Sequence, residues 1–265
     1  MTTGVIIVAG GSGHRMGSSI PKQFLFLGNR PVLAHTIDAF ARALPRAALV
    51  VVLPEEHIAY WRDLSARFDV ARHRVVAGGR ERFDSVRNGL GALPSETELI
   101  AVQDGVRPLV SRELIVRMFE AAERYGAAIP VVAPVDSFRR VEGEGSAIVD
   151  RRTLRIVQTP QVFRGELLRD AYRVDYRPEF TDDASVVEAS GCPIHLCEGE
   201  RANLKITTRE DLALAAALIE MREADAERSS GVEDNGTDGT VSGNGRANKP
   251  LQIRWKASTN TASAG

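Results

Sequence analysis

Two cations close to a glycine-rich turn, near the start of the chain, are placed to hold phosphate. The segment VIIVAGGSGHRMGSSIPKQFL runs from Val5 to Leu25. Its apolar run, Val5 to Val8, stops at Gly10, Gly11, Gly13 and Gly17, and Arg15 and Lys22 follow. Loop amides at the end of a strand can surround phosphate oxygens, and the two cations can neutralise them. The pattern is not the phosphate loop G-x-x-x-x-G-K-[ST], because no Lys-Ser or Lys-Thr pair follows the glycines. Nor is it G-x-G-x-x-G, because Gly17 arrives one position late. Pro21-Lys22-Gln23 fixes a turn that aims an ammonium back at the loop.

Three further places carry chemistry-bearing side chains. Asp104 lies just past the apolar run LIAVQ, where an open α/β sheet binds ligands, and a carboxylate there can take Mg²⁺. Arg107 follows three residues later, so a turn salt-bridged between the two is the plain alternative. Gly78, Gly79 and Ser85 form a second small-residue loop before a helix; Asp84 or Ser85 as a helix cap is the alternative there. The basic residues Arg151, Arg152 and Lys205 stand in VDRRTL and NLKIT. His14, His35, His57, His73 and His195 show no metal-ligand spacing. Cys192 and Cys197 read as plain thiols rather than a disulfide framework or a zinc site. No nucleophile–base pair stands out, and phosphoryl transfer does not require one.

These residues need a scaffold, and the chain supplies an alternating one. Val5–Val8, Ala47–Leu53, Arg74–Ala77, Leu99–Val102 and Ala127–Val132 read as strands. Between them, helices are expected over Val32–Leu44, Glu55–Phe68, Asp84–Leu93 and from a Ser111 cap to about Tyr125. The βαβα order, with apolar runs that do not alternate, implies a mostly parallel sheet covered by helices on both faces. The rhythm breaks between Val135 and Thr159, where two short strands around the polar turn Glu142–Ser146 suggest a projecting β-arm, about 136–158. After it come helical segments at Leu167–Val174 and Asp182–Ala189, strands at Pro193–Leu196 and Asn203–Ile206, and a helix Arg209–Arg222 capped by Thr208.

The chain has 265 residues and a net charge of −1, which fits one α/β domain with appendages and gives no global pull toward nucleic acid. No apolar run approaches the ~18 residues of a membrane span. The N-terminus lacks a secretory signal, so the expected location is cytoplasmic. From about residue 226 the composition turns to Gly, Ser, Asn, Thr and Asp, which reads as a disordered tail after a 1–225 domain. Leu251, Ile253 and Trp255 form an apolar island within it, and a docking peptide is the alternative reading.

Taken together, AGGSGHRMGSSIPKQF, GGRERFDSVRNGL, QDGVRPLVS, VDRRTLRIVQTPQVF, FTDDASVVEASG and NLKITTREDL resemble the 2-C-methyl-D-erythritol 4-phosphate cytidylyltransferase family, over about residues 3–223. The resemblance implies a Rossmann-like nucleotidyltransferase fold, α/β, with a β-arm that clasps a second subunit in a homodimer. It implies Mg²⁺-dependent transfer of CMP from CTP to a polyol phosphate. Arg15 and Lys22 would stabilise the transition state. Ala9, Gly10, Gly11, Gly13, Gly78, Gly79, Ser85 and Asp104 would bind nucleotide, with Asp104 also the metal ligand. Arg151 and Lys205 would position the acceptor, and Arg107, Ser137, Thr159 and Thr181 are further contacts. The family spacing back from Thr159 selects Arg151 over Arg152. Ala202 stands where the family often has Asp, and Asp182 or Asp183 is the candidate substitute. Transfer to ribitol 5-phosphate is the nearest alternative, and a non-catalytic nucleotide-binding module is the other.

Overall fold

The computed structural model describes residues 1–10 and 20–230. Expectations for Gly11, Gly13, His14, Arg15 and Gly17, and for the apolar island at Leu251–Trp255, lie outside the described residues. By its contacts the chain divides into two units, Met1–Ala224 and Asp225–Gly265. The described part of the second unit is the end of the last helix, where Arg228 pairs with Asp225.

The first unit opens with β1 (Thr3–Val8), a 3₁₀ turn at Lys22–Phe24 and the short pair β2 (Phe26–Leu27) and β3 (Arg30–Pro31). Then α1 (Val32–Ala43), β4 (Ala48–Leu53), α2 (Glu55–Arg67), β5 (Arg74–Ala77), α3 (Arg82–Ala92), β6 (Leu99–Asp104), α4 (Arg112–Tyr125) and β7 (Ala127–Val132) alternate. The hairpin β8 (Phe138–Glu142) and β9 (Gly145–Val149) follows. The chain closes with β10 (Ile156–Val157), β11 (Gln161–Arg164), α5 (Gly165–Ala171), α6 (Asp183–Ala189), β12 (His195–Glu198) and α7 (Arg209–Ser230).

The main sheet has eight strands in the order β10-β7-β11-β6-β1-β4-β5, with β12 also pairing β7. Its centre is parallel: Ile6 sits opposite Val50 on β4 and Val102 on β6. Only β10 and β11 run antiparallel to their neighbours. Because side chains alternate along a strand, β1 feeds two cores. Val5 and Ile7 join α1, α2 and α4 on one face, while Ile6 joins Val86, Leu90 and Phe163 on the other. Each fully buried aliphatic side chain of this kind contributes about 1.5–3 kcal/mol. Both faces of the strand are therefore apolar, which is why its sequence does not alternate.

Local chemistry sets the helix starts. Ser111 accepts from the Leu114 amide at 2.9 Å, as expected of a cap. The α3 helix begins at Arg82, earlier than the sequence suggests, because Glu81 is its N-cap and Asp84 completes a capping box. Asp84 and Ser85 thus lie inside the first turn. The strand expected at Asn203–Ile206 does not form. The Asn203 carbonyl is taken by side chains of Arg107 and Gln158, and only the Ile206 amide makes a sheet-like bond, to the Val106 carbonyl. The expected strand at Pro193–Leu196 is shifted to His195–Glu198, and α5 starts before Leu167, at Gly165.

Candidate active site

Four strands end at one cleft. The Ala9 amide donates to the Val52 carbonyl (2.9 Å), Gly78 to Leu53 (2.8 Å) and Gly105 to Val8 (2.8 Å), so the residues just past β1, β5 and β6 are tied to strand ends. Beyond those carboxyl ends opens a cavity of about 570 Å³. It lies where the strand order reverses, with β4 on one side of β1 and β6 on the other, the usual ligand crevice of an open α/β sheet. Of the expected residues, Ala9, Gly10, Lys22, Gly78, Gly79, Ser85, Asp104 and Lys205 line it.

The glycine corner is sterically required. A Cβ on Gly79 would lie 2.2 Å from the Asp84 Cβ, and one on Gly78 would lie 2.9 Å from the Ser85 hydroxyl. That hydroxyl accepts from the Gly79 amide and donates to the Glu81 carbonyl, both at 3.1 Å. Ser85 therefore holds the corner shut around whatever binds there.

Lys22 is presented by its 3₁₀ turn. Gln23 is buried beside it and donates to the Ala9 carbonyl at 2.8 Å, pinning the turn to the end of β1. Phe24 anchors the other side, stacked on Trp61 at 5.9 Å between centroids. Gln23, expected as part of the Pro21-Lys22-Gln23 turn, fixes it through its side-chain bond to the Ala9 carbonyl.

Asp104 forms the floor. Its Oδ2 takes Lys205 Nζ and Arg107 Nε, each at 3.1 Å. Burial alone would raise this carboxyl; Lys205, Arg107 and Arg82 outweigh it and hold it below the ordinary carboxylate value. Two of the expected contacts, Arg107 and Thr159, are engaged with Asp104 here, Arg107 in the turn salt bridge that the sequence left as its alternative. Arg107 is buried, braced between Asp104 and the Asn203 carbonyl (2.8 Å). Thr159 is buried too, and its hydroxyl accepts from the Asp104 amide at 3.1 Å. Both sit beneath Asp104 and outside the cleft lining, and they set its position from below.

For a divalent cation the donor set is sparse. Among the described residues no group of three or more His, Cys, Asp or Glu comes together. One carboxylate on the cleft floor, already sharing an oxygen with two cations, fits Mg²⁺ in the form where substrate phosphates supply most of the ligands. Asp182 and Asp183, the proposed stand-ins for the residue at Ala202, are otherwise committed and do not line the cleft. Asp182 caps α6, accepting from the Ser185 amide at 2.9 Å, and Asp183 is fully buried against Arg82 and Tyr172.

Ser137, Arg151 and Thr181 are exposed and lie outside the cleft lining. Arg151 begins a 3₁₀ turn at the arm's base and donates to the Val135 carbonyl. Its neighbour Arg152 is paired with Asp150 at 2.8 Å. The β8–β9 hairpin forms its own two-stranded sheet, with Val141 and Ile148 about four-fifths exposed (78% and 80%).

Comparisons with known proteins agree with this architecture. A family profile described as IspD: 2-C-methyl-D-erythritol 4-phosphate cytidylyltransferase matches residues 3–221. The 2-C-methyl-D-erythritol 4-phosphate cytidylyltransferase of Bacteroides thetaiotaomicron is 50% identical over 220 residues, covering 83% of this chain and 100% of that protein. The protein of the same name from Porphyromonas gingivalis is 50% identical over 216 residues, covering 81% and 96%. The crystal structure of 2-C-methyl-D-erythritol 4-phosphate cytidylyltransferase from Thermus thermophilus superposes with a TM-score of 0.65 at 36% identity, over 82% of this chain and 98% of that one. The 4-diphosphocytidyl-2C-methyl-D-erythritol synthase of Anaerococcus prevotii gives 0.71 at 28% identity, over 83% and 96%. With a matching fold, a cleft at the strand ends and half its aligned residues shared with such relatives, this chain belongs to the 2-C-methyl-D-erythritol 4-phosphate cytidylyltransferase family.

Proposed function

We propose that this chain transfers CMP from CTP to 2-C-methyl-D-erythritol 4-phosphate, a step of isoprenoid precursor synthesis in the cytoplasm. A phosphate oxygen of the acceptor attacks the α-phosphorus of CTP. The bond from that phosphorus to the bridging oxygen breaks, and pyrophosphate leaves with the electron pair. The observation that carries the reading is that Lys22 and Lys205, distant in sequence, line one cleft with Asp104 between a glycine corner and the end of β1.

Each group has a task that its surroundings support. Gly78, Gly79 and Ser85 enclose the cytosine and ribose through backbone groups. Lys22, together with Arg15 and the amides of Gly10, Gly11 and Gly13, neutralises the triphosphate and the charge that builds as pyrophosphate departs, while Ala9, its amide held by the Val52 carbonyl, lines the cleft beside them. Lys205 holds the acceptor phosphate and is itself aimed by Asp104 (3.1 Å). Asp104 is the residue that would hold Mg²⁺, which would supply positive charge to offset that of the phosphates. The ionised state that Asp104 needs for both tasks is secured by its cationic neighbours.

The acceptor end is completed by a second copy of the chain. Ser137 and Arg151 stand on or beside an arm whose apolar residues face outward. A homodimer in which the arm clasps its partner buries those residues and delivers Arg151 and Ser137 to the neighbouring cleft. Thr181 is a further exposed polar contact for the acceptor.

Pyrophosphate release from CTP, measured with methylerythritol 4-phosphate and separately with ribitol 5-phosphate, tests the reading. Turnover with the first acceptor is expected. Turnover with ribitol 5-phosphate alone would reassign the acceptor, and release with neither would remove the catalytic function.

A further inference from the structure

One buried ionic cluster is left over from these assignments. Asp183, the first residue of α6, has no exposed surface. It takes both ends of the Arg82 guanidinium, Nη1 to Oδ1 at 2.9 Å and Nη2 to Oδ2 at 2.5 Å. The Tyr172 hydroxyl donates to the same Oδ1 at 2.6 Å. Tyr172 is fixed in turn by stacking on Phe83, with centroids 4.7 Å apart, and Phe83 stacks on Phe180 at 5.7 Å. Gln161 closes the network, accepting from the Ala184 amide at 2.9 Å and donating to Asp182 at 2.8 Å.

A carboxylate buried at this depth is costly unless it is paired and fully hydrogen-bonded, and this one is. Yet its partner is not buried with it. The Arg82 side chain keeps 31% of its surface exposed, and Arg82 lines the cleft between the glycine corner and Asp104. A guanidinium carries five N–H donors. The two bonds to Asp183 leave the Nε hydrogen and one on each terminal nitrogen, without partners among the described residues. The fork is thus clamped from behind and presents its remaining donors to the cleft. A planar, pre-oriented donor set is the geometry that recognises phosphoryl oxygens.

We propose that Arg82 is a substrate-reading residue that donates to a phosphoryl oxygen in the cleft, and that Asp183 and Tyr172 are its positioning residues. This rests on the cytidylyl-transfer reading for the identity of the phosphates, which are either the nucleotide's or the acceptor's. It adds a cation on the α3 side of the cleft that Lys22 and Lys205 also line. Burial works against the Arg82 charge and Asp183 more than restores it, so the donor stays charged at any working pH.

The test uses the full chain and three variants: Arg82→Lys, which keeps charge and loses the fork; Arg82→Gln; and Tyr172→Phe, which keeps the stacking and removes one bond to Asp183. Calorimetric titration with inorganic pyrophosphate and with CTP is paired with KM and kcat for each substrate and with thermal melts. Weakening of pyrophosphate or CTP binding by about 10-fold in both Arg82 variants assigns the contact to the nucleotide. A comparable rise confined to the acceptor KM assigns it to the acceptor phosphate. Tyr172→Phe should move the same parameter in the same direction by a smaller factor, beyond what its melt explains. Variants that melt lower yet leave every binding constant and KM unchanged would make the cluster purely structural and overturn the proposal. So would a parent that binds none of these phosphates. A parent that binds pyrophosphate through Arg82 but does not turn over would overturn the reaction and leave the contact standing.

Discussion

The two ends of the cleft are built by opposite strategies. The proposed nucleotide end is assembled from strand termini of one sheet, and its described parts all come from one chain: Ser85 braces the glycine corner and Gln23 pins the Lys22 turn. The acceptor end is split. Lys205 reaches the cleft from the loop before α7, but Ser137 and Arg151 sit at the base of an exposed arm. In the proposed reaction the nucleotide, the group shared with other nucleotide chemistry, is recognised where strand ends are tied to one another. In the proposed homodimer, recognition of the particular acceptor falls where the second chain arrives.

The sharpest way to break this contrast is to disable the ends separately. Lys22→Ala and Arg151→Ala are each expected to lower kcat by about 10²–10³-fold, as loss of a preorganised charge contact does. Mixing and reassembling the two inactive parents should restore turnover, because one cleft of the hybrid then has an intact Lys22 and an intact neighbouring Arg151. No recovery in the mixture would place Arg151 in its own chain's site. Gly79→Ala comes next. Its new Cβ must displace Asp84, so stability should fall by about 1–3 kcal/mol and the KM for CTP should rise while that for the acceptor changes little.

A smaller effect is expected from acid. The His73 Nε2 accepts from Trp61 Nε1 at 2.9 Å and its Nδ1 donates to the Ala71 carbonyl at 2.7 Å, so the folded protein requires the neutral ring. Burial, chiefly, lowers its pKa below 6.5. The unfolded chain then binds the proton more readily, and this contribution to stability, full above pH 6.5, is lost as pH falls through the folded value. Melts of His73→Gln between pH 5 and 8 should show a flatter profile than the parent. Since Trp61 backs Phe24 and the Lys22 turn, the parent's KM for CTP should respond to this pH range more than its acceptor KM. The smallest effect is expected from removing residues 231–265, which should leave kcat/KM for both substrates within about twofold, as for a segment too polar to pack.

The strand–helix alternation, the Ser111 cap and the β8–β9 hairpin were legible because each has a local signature: an apolar run, a capping hydroxyl, a change of period. The glycine corner was legible as a motif; the alternative of Asp84 or Ser85 as the cap is not what forms, since Glu81 holds that place. What escaped was support from a distance. The Asp104–Arg107 pair, three residues apart, was open to a local reading, but Thr159, whose hydroxyl takes the Asp104 amide, is 55 residues away and no local pattern joins them. Asp183 and Arg82 are 101 residues apart, and no local pattern announces a pair of that span. Asn203 likewise resembled part of a strand until its carbonyl was seen to serve side chains.

The arm leaves and rejoins the main sheet at one point. β7 ends at Val132, and Ile156 of β10 returns to pair with that same residue. Everything between is an excursion whose ends are held as neighbours by the sheet itself, so changing its length costs little in chain closure. The hairpin can lengthen, shorten or exchange its exposed residues without touching a core side chain. Under the proposed dimer, subunit pairing and acceptor contacts could change while the cleft at the strand ends stays as it is, and grafting one relative's hairpin between residues 132 and 156 of another is the experiment that tests this separation.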